Sequence, residues 1–268
     1  MLKKRLIPVL YLRNGLIVRS QSFHDFREFG NPVNQLERLS DWNSDELIYV
    51  DITRQGDHDL KRDDLKVKNQ LDVLGILREI AKHCFMPLTF GGRIFDLERA
   101  AAFIANGADK VIVNTGAYRN PALITQIADR FGSQALVVGI DVKKEADGRH
   151  RVYVNQGQEP TELVATEWAK QVAALGAGEI FLNSIDRDGT GNGYDLDIIS
   201  AVANAVTIPV IACGGAGMFE DFQEVFEKTN ASAVAAGNIF NFTENAYIRA
   251  KKELVEAGCP VRPFARFG

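Results

Sequence analysis

Two stretches of this chain repeat one another. GAGEIFLNSIDRDGTGNGYDL at 176–196, followed by IACGGAG at 211–217, is echoed in the first half by DELIYVDITR at 45–54 and PLTFGGRIFDL at 87–97. In each copy an apolar strand runs into a polar loop and a helical pattern, then a second apolar strand ends in a diglycine turn that opens another helix. Strand, polar turn and helix make a βα unit. Self-similarity at an offset near half the length constrains the architecture more tightly than local propensity does. The chain therefore reads as a single (βα)8 TIM barrel built from two similar half-barrels, one domain covering 1–268.

Length and composition agree. A chain of 268 residues, 46% hydrophobic, suits one barrel of roughly 250 residues. The net charge of -4 supplies no basic field for nucleic acid. No apolar run approaches the roughly 20 residues of a membrane span. The opening MLKKRLIPVLYLRNG has a short apolar stretch and no small-residue cleavage site, so it is expected to be the first strand rather than a signal peptide. Cys84, Cys213 and Cys259 lie far apart without CxxC spacing, which argues against disulfides or zinc and for a reducing cytoplasm. The histidines (His24, His58, His83 and His150) lack metal-ligand spacing. No metal or cofactor is expected.

Strands are predicted near 5–11, 46–51, 86–90, 110–114, 135–141, 178–184, 208–212 and 232–236, with helical crossovers and a parallel sheet. Two segments interrupt the rhythm. RQGDHDLKRDDLKVKN at 54–69 is either a mobile lid or a solvated charged loop. EADGRHRVYVNQGQEPT at 145–161 contains Asp147-Gly148 between alternating residues, which predicts a β-hairpin insertion near 142–160. Both follow strand C-termini, the face on which barrels build sites. The ending VRPFARFG either frays or docks on a partner.

Asp141 ends the fifth predicted strand and is the candidate general acid or base; a loop-capping aspartate is the plainer reading. At the equivalent place in the first half stands Tyr11. A phenol, with a reference pKa near 10 against about 3.9 for Asp, supplies no carboxylate near neutrality. Tyr11 either donates a hydrogen bond as a weak acid or plugs the barrel mouth. Gly214 and Gly215 close the seventh strand, Gly237 and Asn238 follow the eighth, and Gly189 lies in the DRDGT loop. Backbone amides there suit a phosphate, a ligand that barrels often bind after strands seven and eight. By the repeat, Gly91, Gly92, Asn114 and Thr115 mark a second anion site, and two such sites imply a long bisphosphate ligand. Arg93 follows that first diglycine, where it either grips an anion or fills the site.

Together KRLIP, DELIYVDIT, GADKVIVNT, GSQALVVGID, GAGEIFLNSIDRDGTGNGYDL and CGGAG resemble the cyclase subunit of imidazole glycerol phosphate synthase, the HisF family, over nearly the whole chain. The resemblance implies a barrel that binds a bisphosphorylated aminoimidazole carboxamide ribonucleotide and takes ammonia from a HisH-like class I glutaminase. It forms an imidazole and releases a carboxamide ribonucleotide. It also implies an ammonia gate of Arg5, Glu46, Lys110 and Glu179, each opening a strand. By strand alternation Arg5 and Tyr11 share a face, as do Lys110 and Asn114. Two departures stand out: the family's acid after strand one falls on Tyr11, and its first phosphate turn carries Arg93. With IDVKK and SIDRDGT, they bring the chain nearest to the HisF-like proteins called WbuZ, linked to sugar amidation with a glutaminase and a sugar amidotransferase. On that resemblance the expected function is ammonia transfer towards a sugar of surface polysaccharide. The alternatives are an authentic cyclase of histidine biosynthesis, with Asp141 working beside Asp51, Asp186 or Asp188, and a non-catalytic scaffold that activates a glutaminase.

Overall fold

The computed structural model describes residues 3–54, 72–242 and 244–263. The first half comprises β1 (Arg5–Arg13), β2 (Leu16–Gln21), β3 (Asp25–Gly30), α1 (Pro32–Asp41), β4 (Leu47–Asp51), α2 (Val73–His83), β5 (Leu88–Gly91), α3 (Leu97–Ala105), β6 (Lys110–Val113), α4 (Thr115–Arg119) and α5 (Ala122–Phe131). The second half continues with β7 (Leu136–Lys144), β8 (His150–Val154), β9 (Glu159–Val164), α6 (Ala165–Ala174), β10 (Glu179–Ser184), α7 (Leu196–Ala205), β11 (Val210–Cys213), α8 (Glu220–Lys228), β12 (Ala233–Ala236), α9 (Ile239–Phe242) and α10 (Ala246–Glu256).

Strands β1, β4, β5, β6, β7, β10, β11 and β12 pair in parallel, each with the next. The ring closes where Arg5 of β1 lies opposite Ala233 of β12. The fold is a closed (βα)8 barrel. Side-chain caps fix where helices begin: Asp96 accepts from the Arg99 amide at 2.7 Å and Asp72 from the Gly75 amide at 2.5 Å. Such caps satisfy amides that the helix itself leaves open. Among the described residues, no helix is long and apolar enough to cross a membrane.

Among the described residues, two additions sit at the C-terminal ends of barrel strands. β1 turns at Asn14-Gly15, both at positive φ (50° and 80°), into β2, which pairs antiparallel with β1 and with β3. An Asn-Gly pair is the strongest short hairpin signal, and the eight-strand reading overlooked it. β7 runs on to Lys144 and reverses around Asp147-Gly148 into β8, which pairs antiparallel with β7 and β9. The insertion thus reaches Val164, beyond the predicted boundary. The charged loop at 54–69 lies, from residue 55 on, outside the described residues, as do His58 and the end of the C-terminal tail.

Alternation along the strands divides the apolar residues into two layers. The outer layer packs strands against helices. Phe222, fully buried, stacks on Phe240 at 5.8 Å and tilts against Tyr194 at 6.3 Å. The inner layer fills the bore with Ile7, Val9, Ile48, Ile112, Val137 and Phe181. Truncating a ring packed against Tyr194, Phe219 and Phe240 leaves a cavity that the barrel cannot collapse. Phe222→Ala is therefore expected to cost about 3–5 kcal/mol, read as the change in urea unfolding free energy; a loss under about 1 kcal/mol would contradict this packing.

Candidate functional site

The two ends of the bore are chemically different. At the N-terminal end, Arg5, Glu46, Lys110 and Glu179 close a ring of ion pairs. Arg5 Nη1 donates to Glu46 Oε1 at 2.6 Å, and Nη2 to Glu179 Oε2 at 2.9 Å. Lys110 Nζ donates to Glu179 Oε1 at 2.5 Å and reaches Glu46 Oε2 at 3.4 Å. Their side chains are only 9–20% exposed, so each charge needs its neighbour. Burial works against the charge of Glu179, yet Arg5 and then Lys110 hold its carboxyl below the usual range.

At the C-terminal end a cavity of about 420 Å³ opens over the bore. Asp141 lies in its floor, and the side-chain amide of Asn114 donates to Asp141 Oδ2 at 2.8 Å. Burial pushes Asp141 up to about 7, opposed by Asn114 and aided by the nearby charge of Asp188. A carboxyl with that affinity can both give and take a proton near neutrality. Tyr11 stands across the bore, accepting from Asn183 Nδ2 at 3.3 Å, with its hydroxyl 4.0 Å from Cys213 Sγ. Burial first, then Cys213, Asp188 and Asp141, push its phenol well above the usual range. Tyr11 remains protonated there. Burial likewise pushes the Cys213 thiol well up, which removes it as a nucleophile.

The first diglycine turn lines the same cavity. Gly92 has φ 127°, and a Cβ there would fall 2.4 Å from the Asp51 carbonyl oxygen, so only glycine lets the two strand ends meet. Arg93 Nη2 approaches Asp51 Oδ2 at 3.6 Å, while Asp51 Oδ1 accepts from the Thr53 hydroxyl at 2.5 Å. Thr115 opens α4, and its hydroxyl accepts from the Asn155 amide at 2.9 Å. The β8–β9 turn thereby roofs the cavity, with Gln156 Nε2 donating to the Ile52 carbonyl at 3.1 Å.

The second glycine set gathers in a smaller recess of about 30 Å³ beside Tyr11, lined by Gly189, Gly214, Gly215, Gly237 and Asn238. Asn238 Nδ2 donates to the Ser20 carbonyl at 2.9 Å, and Ser20 Oγ donates to Asp188 Oδ2 at 2.5 Å. The β2–β3 hairpin is thereby tied to this recess, while its own Ser20, Phe23 and Phe26 line the larger cavity. Of the three acids weighed beside Asp141, Asp51 lines the main cavity and Asp188 the recess, whereas Asp186 is exposed and accepts from the Lys144 amide at 2.8 Å. Asn114 lines the main cavity, where its side-chain amide donates to Asp141. Residue typing missed Ser20, Asn183 and Gln156, whose relevance comes from partners distant in sequence; only Asn14-Gly15 signalled that a hairpin would deliver Ser20. Among the described residues no group of three His, Cys, Asp or Glu is placed to hold a metal ion.

Residues 5–246 match the profile of the family described as Histidine biosynthesis protein. The chain is 42% identical over 262 residues to "Imidazole glycerol phosphate synthase subunit HisF" of Alkaliphilus metalliredigens, covering 98% of this chain and all of that protein. It is 43% identical to the protein of the same name from Chlorobium luteolum and 40% to that of Streptococcus mutans, with the same coverage.

The unfolded chain releases the Asp141 proton near 3.8 and the barrel near 7. The folded state thus binds more protons across that window, and this residue's contribution to stability falls as pH rises through it. Asp141→Asn is expected to gain in urea midpoint relative to the parent chain from pH 4 to pH 8. A difference that stays flat with pH would contradict a buried, proton-holding acid.

Proposed function

The chain belongs to the histidine biosynthesis protein family, in its HisF-like branch, and from that premise we propose that it is the ammonia-using subunit of a glutamine-dependent synthase of the imidazole glycerol phosphate synthase type. Asp141 is its acid–base group. Its partner is a class I glutaminase of the HisH kind, seated over the N-terminal mouth. Its ligand is a bisphosphorylated aminoimidazole carboxamide ribonucleotide in the 420 Å³ cavity, one phosphate near Gly92 and Arg93 and the other at the Gly214–Asn238 recess.

The observation that carries this reading is the pairing of a neutralised ionic ring at one end of an apolar bore with a half-protonated acid at the other. Ammonia is small and neutral, so apolar side chains cost it little, whereas ammonium pays the desolvation of a charge. The ring excludes bulk cations until one of its cations swings aside. Ammonia emerging beside Asp141 meets a carboxylate that takes its surplus proton as the new carbon–nitrogen bond forms. The same group then returns a proton to the departing part of the ligand. Asp51 lines the same cavity, and its Oδ2 accepts no hydrogen bond among the described residues. In this reading it stands in for the acid that Tyr11 replaces.

Tyr11 favours a second reading. A buried phenol held protonated is a poor substitute for a carboxylate, and it suits a paralogue that passes ammonia onward for amidation of a sugar in surface polysaccharide synthesis, with a sugar amidotransferase as a further partner. One assay separates the two. Purified protein is given ammonium chloride and the bisphosphorylated ribonucleotide, and imidazole product is measured. Turnover by the parent chain, falling roughly 10²- to 10⁴-fold in Asp141→Asn, is the expected result. Turnover absent in the parent chain and gained in Tyr11→Asp would reject the cyclase reading in favour of the paralogue.

A further inference from the structure

A second cluster of buried polar groups lies directly outside the ionic ring. The ladder between β1 and β4 begins only at Val9 opposite Ile48. Leu6, which faces the β4 side, is therefore left with an amide and a carbonyl that no strand residue reaches. Side chains take both. Asp45 Oδ2 accepts from the Leu6 amide at 3.2 Å, and the Tyr247 hydroxyl donates to the Leu6 carbonyl at 3.0 Å. The same hydroxyl accepts from the Asp45 amide at 2.8 Å, and Lys251 Nζ donates to Asp45 Oδ1 at 2.5 Å. Arg262 Nε also approaches Asp45 Oδ1 at 3.3 Å. Tyr247 and Lys251 are fully buried and one turn apart on α10.

Strand alternation makes this arrangement more than local capping. Arg5 and Glu46 face the bore and bind each other; their chain neighbours Leu6 and Asp45 face outward and also bind each other. We propose that Tyr247 and Lys251 are positioning residues for the ionic ring: acting through Asp45 and Leu6, they clamp the starts of β1 and β4 together from outside and so hold Arg5 against Glu46 and Glu179. In its functional part this rests on the ammonia-transfer reading. α10 thereby couples the outer face of the barrel to the gate inside it. Lys251, buried and charged, is retained for the alignment it enforces on Asp45, since a hydrocarbon would pack there without holding the carboxylate.

The test uses Tyr247→Phe, which removes one hydroxyl, and Lys251→Met, which keeps the length of the side chain. Carbon-13 NMR follows the titration of the Glu179 carboxyl in the full-length protein. Loosening Arg5 is expected to raise the Glu179 midpoint by about half a pH unit or more in both variants. A second readout uses the protein assembled with its glutaminase. Product formed per glutamine hydrolysed is expected to fall roughly threefold to tenfold, the worth of one hydrogen bond as a ratio, while turnover with ammonium chloride alone is unchanged. A lower melting temperature with an unmoved Glu179 midpoint and intact coupling would overturn the proposal, because the cluster would then only stabilise the fold. A parent chain that neither binds a glutaminase nor uses ammonia would sink the functional reading instead, and the Glu179 titration would alone decide the clamp.

Discussion

A charge inside a closed cylinder of strands has no water to turn to, so it is either neutralised in place or loses its charge to a proton. This barrel uses both solutions, one at each end. Arg5 and Lys110 neutralise Glu46 and Glu179 at the N-terminal mouth, and at the C-terminal floor burial raises Asp141 to about 7, so that it holds its proton further towards neutrality. Between them the bore is lined by aliphatic and aromatic side chains. The polarity of each end follows from the period of two along strands that carry an ion at one end and a functional group at the other. β1 alone bears Arg5, Ile7, Val9 and Tyr11 on its inner face, and the β6 face continues from Lys110 through Ile112 to Asn114.

That arrangement explains why the site is assembled from so many elements. Asp141 comes from β7, Asn114 follows β6, Tyr11 lies in the C-terminal half of β1 and Asn183 near the end of β10, yet all meet because barrel closure brings these strand segments within side-chain reach. The additions at the same face enclose the volume. The β8–β9 turn and the β2–β3 hairpin both line the larger cavity, and burial raises the cost of charging Asp141 and Asp188. Fold and acid strength are thus one matter: an open mouth would return Asp141 to an ordinary carboxylate.

Much of the fold was legible because it is repetitive. DELIYVDITR and GEIFLNSIDR mark equivalent strands in the two halves, and every predicted barrel strand overlaps an observed one. The β2–β3 pair escaped because a hairpin inside a βα unit breaks the rhythm on which the reading relied, although Asn14-Gly15 announced it. The site was legible by position and less so by partnership. Asp141 could be placed at a strand end, but its pairing with Asn114 is a contact between strands. Arg93 stayed open because its companion, Asp51, ends a different strand 3.6 Å away. Asp45 and Lys251 left no trace in the sequence pattern, being 206 positions apart and joined only by folding. The resemblance to sugar-amidating paralogues rested largely on Tyr11, and the relatives at 40–43% identity carry the cyclase subunit's name instead.

The proposed ammonia transfer requires nitrogen to travel through this bore from one mouth to the other. Its most direct measurement supplies the protein, its glutaminase and the bisphosphorylated ligand with glutamine labelled by nitrogen-15 at the side-chain amide, in excess unlabelled ammonium, and reads the isotope in the product. Product carrying mainly nitrogen-15 is expected, because ammonia released at the N-terminal mouth would reach Asp141 without mixing with solvent. Product matching the bulk ammonium would show that nitrogen enters from outside, and passage through the bore would be ruled out.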